Sequence, residues 1–181
     1  YVFDGTREVH PEDEPVSPLG VYGQTKAAGD AVVSVVPRHY IVRTSWVIGE
    51  GNNFVRTMAS LAERGVNPAV VNDQVGRLSF TEDIAAGIRH LLATGAPFGT
   101  YNLTSDGEPQ SWADVAADVY ELSGNRRDAV TGVSTEEYFR GKEAAPRPLN
   151  SVLPLDKTQA AGFQPRHRKE ALADYLAGLQ A

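Results

Sequence analysis

Residues 40–48, Tyr-Ile-Val-Arg-Thr-Ser-Trp-Val-Ile, are apolar nearly throughout. Such a run reads as a parallel strand covered on both faces rather than a surface strand with alternating polarity. Parallel strands need long crossover connections, usually helices. That requirement restricts the chain to folds in which helices flank a parallel sheet, and the helices are legible around it. Residues 18–35 read as a helix whose packing face is Ala27, Ala28, Ala31, Val32 and Val35, ended by Pro37. A second helix runs from Asn53 to about Arg64, with Phe54, Met58 and Leu61 on one side, and stops at Gly65.

The alternation continues downstream. Ala69-Val70-Val71 is a short strand, and Thr81 caps a helix through about Leu92, with Ile84, Ile88, Leu91 and Leu92 facing inward. Residues 99–103 form a strand ended by the Asp106-Gly107 turn. Ser111 caps a helix over 112–122, in which Trp112 reads as a core residue. Residues 129–133 fit a strand, Ser134 opens a short helix, 143–153 is extended and proline-rich, and a last helix covers 167–179. Strands and helices in this order indicate an α/β fold.

A length of 181 residues suits one ordinary domain, and 41% hydrophobic residues suffice for a core. The net charge of −6 argues against a nucleic-acid or bilayer surface. Absence of cysteine excludes disulfides and thiolate metal sites, and the four histidines lack ligand spacing. No run reaches membrane-spanning length and no signal peptide is visible, so a cytoplasmic location is the default expectation. Residues 6–17 are acidic and proline-bearing, which reads as a solvated surface connection or as a lid beside a ligand.

Two side chains at the start of the first helix carry chemistry. Tyr22 and Lys26 are four apart and share one helical face. A cation beside a phenol favours the phenolate, and a tuned phenol can exchange a proton with a carbonyl or alcohol. The lysine can also hydrogen-bond a sugar hydroxyl. Spacing alone equally describes a half-buried aromatic beside a solvated charge. Ser17-Pro18 just before them reads as a helix start, since Ser caps and Pro is tolerated in a first turn.

Five blocks, in order, resemble one family. They are Tyr1-Val2-Phe3-Asp4-Gly5, Ser17 through Lys26, Arg43-Thr44-Ser45-Trp46-Val47, Gly51-Asn52-Asn53-Phe54 and Asn72-Asp73-Gln74-Val75-Gly76, joined at the tail by Arg147 to Leu153. Together they resemble the dTDP-4-dehydrorhamnose reductase branch of the extended short-chain dehydrogenases. One departure is Arg77-Leu78-Ser79-Phe80, where the family often has a small residue, Pro and Thr. The resemblance implies the C-terminal portion of a Rossmann-like α/β enzyme: parallel strands with flanking helices plus a small substrate-binding lobe. No Gly-x-x-Gly-x-x-Gly turn occurs in residues 1–181. The resemblance therefore places the glycine-rich cofactor half, and a catalytic Thr just before Tyr1, upstream of this chain. It also implies that the fragment alone is inactive.

By resemblance, the parent enzyme reduces a 4-keto nucleotide-sugar with NADPH or NADH. Tyr22 would supply the proton, and Lys26 would hold the nicotinamide ribose. Thr44 and Ser45 would meet the nicotinamide amide, or else contribute plain strand polarity. Trp46 would pack on the sugar, or else fill the core. Asn52 and Asn53 are a helix cap or a ligand contact, and Gln74 is a substrate contact beside a turn that already needs Asp73 and Gly76. Arg77 and Arg147 are diphosphate partners or surface ion pairs. The partner is a nucleotide-sugar, with neither nucleic acid nor membrane, and the resemblance allows a homodimer. Two rivals stay open: a nucleotide-sugar epimerase or dehydratase of the same superfamily, and a non-catalytic regulatory subunit with this fold.

Overall fold

The apolar run at 40–48 forms two strands rather than one. In the computed structural model, which describes residues 1–179, β1 covers Tyr40–Arg43 and β2 covers Val47–Ile48. Between them Trp46 adopts a φ of 44°. This left-handed backbone costs a residue with a Cβ about 1–2 kcal/mol. It falls between the two strands and breaks the run there. Helix α1, Val21–Ser34, precedes β1.

After β2 come α2 (Phe54–Glu63), β3 (Ala69–Val71), β4 (Val75–Gly76), β5 (Ser79–Phe80) and α3 (Thr81–Thr94). Next are β6 (Gly99–Asn102), β7 (Gln110–Ser111), α4 (Trp112–Leu122), a 3-10 turn at Arg127–Ala129 and β8 (Thr131–Val133). The short helices α5 (Thr135–Phe139) and α6 (Asp156–Ala160) lead to α7 (Arg168–Leu179). Parallel pairing joins β1 to β6, β2 to β5 and β3 to β8. β4 and β7 pair antiparallel, with Val75 opposite Ser111 and Gly76 opposite Gln110. The architecture is α/β, as read from the alternation. The main core lies among α2, α4 and α7, where Val55, Val115, Val119, Leu172 and Leu176 are buried together with β3 Val70.

Several caps stand where the sequence puts them. Asn53 accepts from the Arg56 N–H at the start of α2. Ser111 and Asp114 form a reciprocal capping box on α4. Ser134 accepts from Glu137 N–H on α5. Others differ. Thr81 is the first helical residue of α3 instead of its cap, and Phe80 at the cap position offers no side-chain acceptor. Glu82 and Asp83 in the first turn complement the helix dipole in its place. Gly87 and Leu91 form the buried face of α3, while Ile88 and Leu92 point outward. A Cβ on Gly87 would lie 2.5 Å from the Leu103 Cδ2. That close approach rotates the inner face toward Gly87 and turns Ile88 away.

The same effect is stronger in α1. Gly23 is its single buried residue, and the expected packing residues Val32 and Val35 are 71% and 79% exposed. A Cβ on Gly23 would lie 2.1 Å from the Tyr1 carbonyl oxygen. The helix thus seats on its smallest residue, not its valine stripe. Ser17 does not cap α1, which begins after Gly20. Its hydroxyl accepts from Asp4 N–H and its own N–H donates to Val2 O, tying the helix entry to residues 2–4. The acidic loop 6–17 is also less solvated than its composition suggests. His10 is fully buried, stacked on Phe3 at 4.7 Å with Nδ1 3.0 Å from Glu14 Oε2. Glu12 Oε1 accepts from Asn102 N–H at the end of β6. Strand β8 starts at Thr131, because residues 127–129 wind into the 3-10 turn.

Candidate active site

A cavity of about 570 Å³ opens between the start of α1, the exit of β1 and the segment 148–153. Its size lies within the range of small-molecule sites. Tyr22 and Lys26, one turn apart on α1, form one wall. The Lys26 ammonium sits 5.4 Å from the centre of the Tyr22 ring. Tyr1 meets that ring edge-on, centroids 5.7 Å apart. Tyr22 is 60% exposed. Among the described residues, its hydroxyl and the Lys26 ammonium have no hydrogen-bond or salt-bridge partner.

Thr44, Ser45 and Trp46 form the facing wall, delivered by the end of β1. The Ser45 hydroxyl donates to Arg77 O at 2.7 Å, so toward a ligand it can only accept. Ser79 pins this stretch: its hydroxyl accepts from Ser45 N–H and donates to Ser45 O, and its N–H donates to Trp46 O. Trp112, at the first position of α4, stacks on Trp46 with centroids 3.8 Å apart and planes 16° apart. Trp112 packs against the core and also lines the cavity, which corrects the reading of it as core alone.

Below them, Arg43 donates through Nε to Asp30 Oδ2 at 3.1 Å and lies over the Phe3 ring at 5.1 Å. Asp30 and Arg43 neutralise one another. Lys26 is then the cavity's unbalanced side-chain charge, so a chain with net charge −6 still offers an anion a local cation. Asn150 and Ser151 complete the third wall. They are held by the pairing of residues 149–151 along β4, through Val75 N–H to Leu149 O and Ser151 N–H to Val75 O.

Asn52, Asn53, Gln74, Arg77 and Arg147, singled out by sequence, do not line this cavity. The Asn53 side chain is spent on capping α2 and on donating to Gly49 O and the Tyr175 hydroxyl. Gln74 is buried and donates to Thr135 Oγ1, while Asp73 accepts from Thr135 N–H. Both fasten the 72–74 turn to α5. Arg147 is exposed, its guanidinium 5.2 Å from the Phe139 ring. Arg77 is a brace as well, donating to Gly107 O and Leu153 O. Trp112, Asn150 and Ser151 were missed as wall residues. The tail block 147–153 and an aromatic directly after the Ser111 cap were the signals available for them.

The arrangement sets a proton-bearing phenol and a cation across from a flat indole, a geometry suited to proton transfer at a polar group on a ring-shaped substrate. No helix among the described residues is long and apolar enough to cross a membrane.

Known proteins resemble this chain along nearly its whole length. The family described as RmlD substrate binding domain matches residues 1–181. The spore coat polysaccharide biosynthesis protein SpsK of Bacillus subtilis is 38% identical over 97% of this chain and 61% of its own length. A dTDP-4-dehydrorhamnose reductase of Aggregatibacter actinomycetemcomitans is 35% identical over 98% of this chain and 64% of its own. The crystal structure of dTDP-4-dehydrorhamnose reductase from Bacillus anthracis in complex with NADP superposes with a TM-score of 0.88 at 33% identity. It covers 98% of this chain and 62% of that one. The chain thus spans about three fifths of the length of these relatives.

Proposed function

Because the chain belongs to the RmlD substrate binding domain family, we propose that it is the substrate-binding and proton-donating part of an NAD(P)H-dependent reductase. The substrate is a 4-keto nucleotide-sugar, dTDP-4-dehydrorhamnose, and the product is dTDP-rhamnose. The observation that carries this reading is the pair Tyr22 and Lys26, free of protein partners among the described residues, facing Trp46 across one cavity. The relatives' names and the NADP complex of the Bacillus anthracis reductase support it. The glycine-rich turn that would cradle the cofactor pyrophosphate is absent from residues 1–181. In this reading it belongs to the remaining length of the parent enzyme.

The residues present fit a nicotinamide cofactor. Lys26 offers an unpaired donor for ribose hydroxyls, and Thr44 and Ser45 offer polar atoms on the opposite wall. When bound, the cofactor supplies the hydride that reduces the sugar C4. Tyr22 gives its phenolic proton to the C4 oxygen as negative charge develops there. Lys26 holds positive charge beside the phenolate left behind. Trp46 provides a flat apolar wall that orients the sugar ring. Asn53, Gln74 and Arg147 act through the fold in this scheme and do not touch substrate. A cytoplasmic location fits a nucleotide-sugar substrate.

The test is product analysis with the full-length natural chain carrying these residues, supplied with dTDP-4-dehydrorhamnose and NADPH. The expected product is dTDP-rhamnose. Tyr22→Phe should lower the rate about 100- to 10,000-fold while leaving the unfolding midpoint unchanged, since the hydroxyl has no partner among the described residues. A loss below about threefold, well short of that range, would remove Tyr22 as the acid. Epimerised or dehydrated product would replace the reductase reading.

A further inference from the structure

Trp46 is an unusual wall residue. Its backbone is left-handed at φ 44°, a conformation that persists only when its surroundings enforce it. Ser79 fixes the main chain at this point through its N–H to Trp46 O, 3.1 Å. The indole is fixed from two further elements. On one, Trp112 stacks on it at 3.8 Å and is itself backed by Phe54 at 4.5 Å. Trp112 cannot shift easily, because the reciprocal Ser111–Asp114 capping box locks the start of α4. On the other, a Cβ added to Gly76 would lie 2.9 Å from Trp46 Cε2 and 3.0 Å from Cζ2, and the three nearest atoms all belong to that indole. The antiparallel β4–β7 pair places Gly76 opposite Gln110, two residues before Trp112. One ladder therefore carries both supports.

We infer that Gly76 and Trp112 are positioning residues that hold the Trp46 indole in register with Tyr22, and so set how the sugar ring is presented for proton transfer. The inference rests on the cavity being the keto-sugar site. Neither residue needs to touch the reacting atoms. A displacement of about 1 Å in such a support can cost about 100-fold in rate, because the reacting groups must meet within a narrow geometry.

Gly76→Ala is the sharpest probe. Gly76 does not have a left-handed backbone, so alanine is conformationally acceptable and its conflict is with the Trp46 ring. In the full-length chain, Gly76→Ala and Trp112→Leu should each lower kcat/KM for dTDP-4-dehydrorhamnose by about 10- to 100-fold. Inhibition by dTDP alone should not change, because in this reading the indole acts on the sugar ring. Trp112→Phe, which keeps a stacking ring, should restore most of the rate. Trp46 and Trp112 are the two tryptophans of this sequence. In a parent whose remaining tryptophans are replaced by phenylalanine, emission from Trp112→Phe and Trp112→Leu then reports Trp46 alone. Acrylamide should quench it more in the Leu variant than in the Phe variant. Unchanged kcat/KM in both Gly76→Ala and Trp112→Leu would overturn the inference, as would an equal loss of dTDP binding. If the wild type does not turn over the keto-sugar, the functional reading fails by itself. Equal quenching of the two Trp112 variants would then overturn the positioning role independently.

Discussion

Helices α1 and α4 both begin at the cavity, yet they are held in opposite ways. α4 buries Val115, Ala116, Val119 and Tyr120 against α2 and α7. α1 buries Gly23 and leaves its valines in solvent. Valine is common to both helices: Val119 is 0% exposed in one and Val32 is 71% exposed in the other. The difference shows that Tyr22 and Lys26 ride on a thinly anchored helix, whereas the tryptophan wall is built on the core. Local stability follows the density of buried apolar contact, so the two walls of one cavity should respond differently to mutation.

The largest effect should come from the dense side. Leu172→Ala, in the core between α7 and α4, should destabilise the chain by about 2–5 kcal/mol, read from the urea unfolding midpoint. A cost equal to that of an exposed α1 residue would erase the contrast. Next is Gly23→Ala, whose Cβ meets the Tyr1 carbonyl. Overpacking of this kind costs about 1–3 kcal/mol, and amide hydrogen exchange should show the loss concentrated in α1 while α4 stays protected.

Asp118 tests how α4 is tied to its neighbours. Burial pushes its carboxyl up, but hydrogen bonds from Arg127 and Gln110 and the charges of Arg127 and Arg168 outweigh that and hold it below the usual carboxylate range. Asp118→Asn should cost about 1–2 kcal/mol at neutral pH. A depressed carboxylate stabilises fully above its unfolded value of about 3.9 and loses that contribution as pH falls through the folded value. The gap between wild type and variant should therefore be constant near neutrality and close in acid. A gap that widened in acid would reverse the assignment. The smallest effect belongs to Val32→Ser on the outer face of α1, within about 0.5 kcal/mol, measured in the same unfolding assay.

Much of this was legible beforehand because it is local. Asn53, Ser111 and Ser134 cap helices through hydrogen bonds to residues three positions away, and Tyr22 and Lys26 share a face through helical spacing alone. Asn53, Gln74 and Arg147 were legible as polar residues in the family blocks, but the partners that hold Asn53 and Gln74 in the fold are distant in sequence. Gln74 meets Thr135 and Asn53 meets Tyr175, pairings that no spacing rule contains. Trp112 looked like core because its partner Trp46 lies far back along the chain.

By itself, then, the sequence determined the starts of α2, α4 and α5, the α/β alternation and the shared helical face of Tyr22 and Lys26, because hydrogen bonding and side-chain periodicity act within a few residues. Tertiary structure alone decided which faces are buried. It turned α1 onto Gly23, broke the 40–48 run at Trp46, buried His10 and stacked the two tryptophans. Those outcomes depend on how closely distant backbones approach, and a missing Cβ at Gly23, Gly76 or Gly87 sets that distance only once the partner is in place.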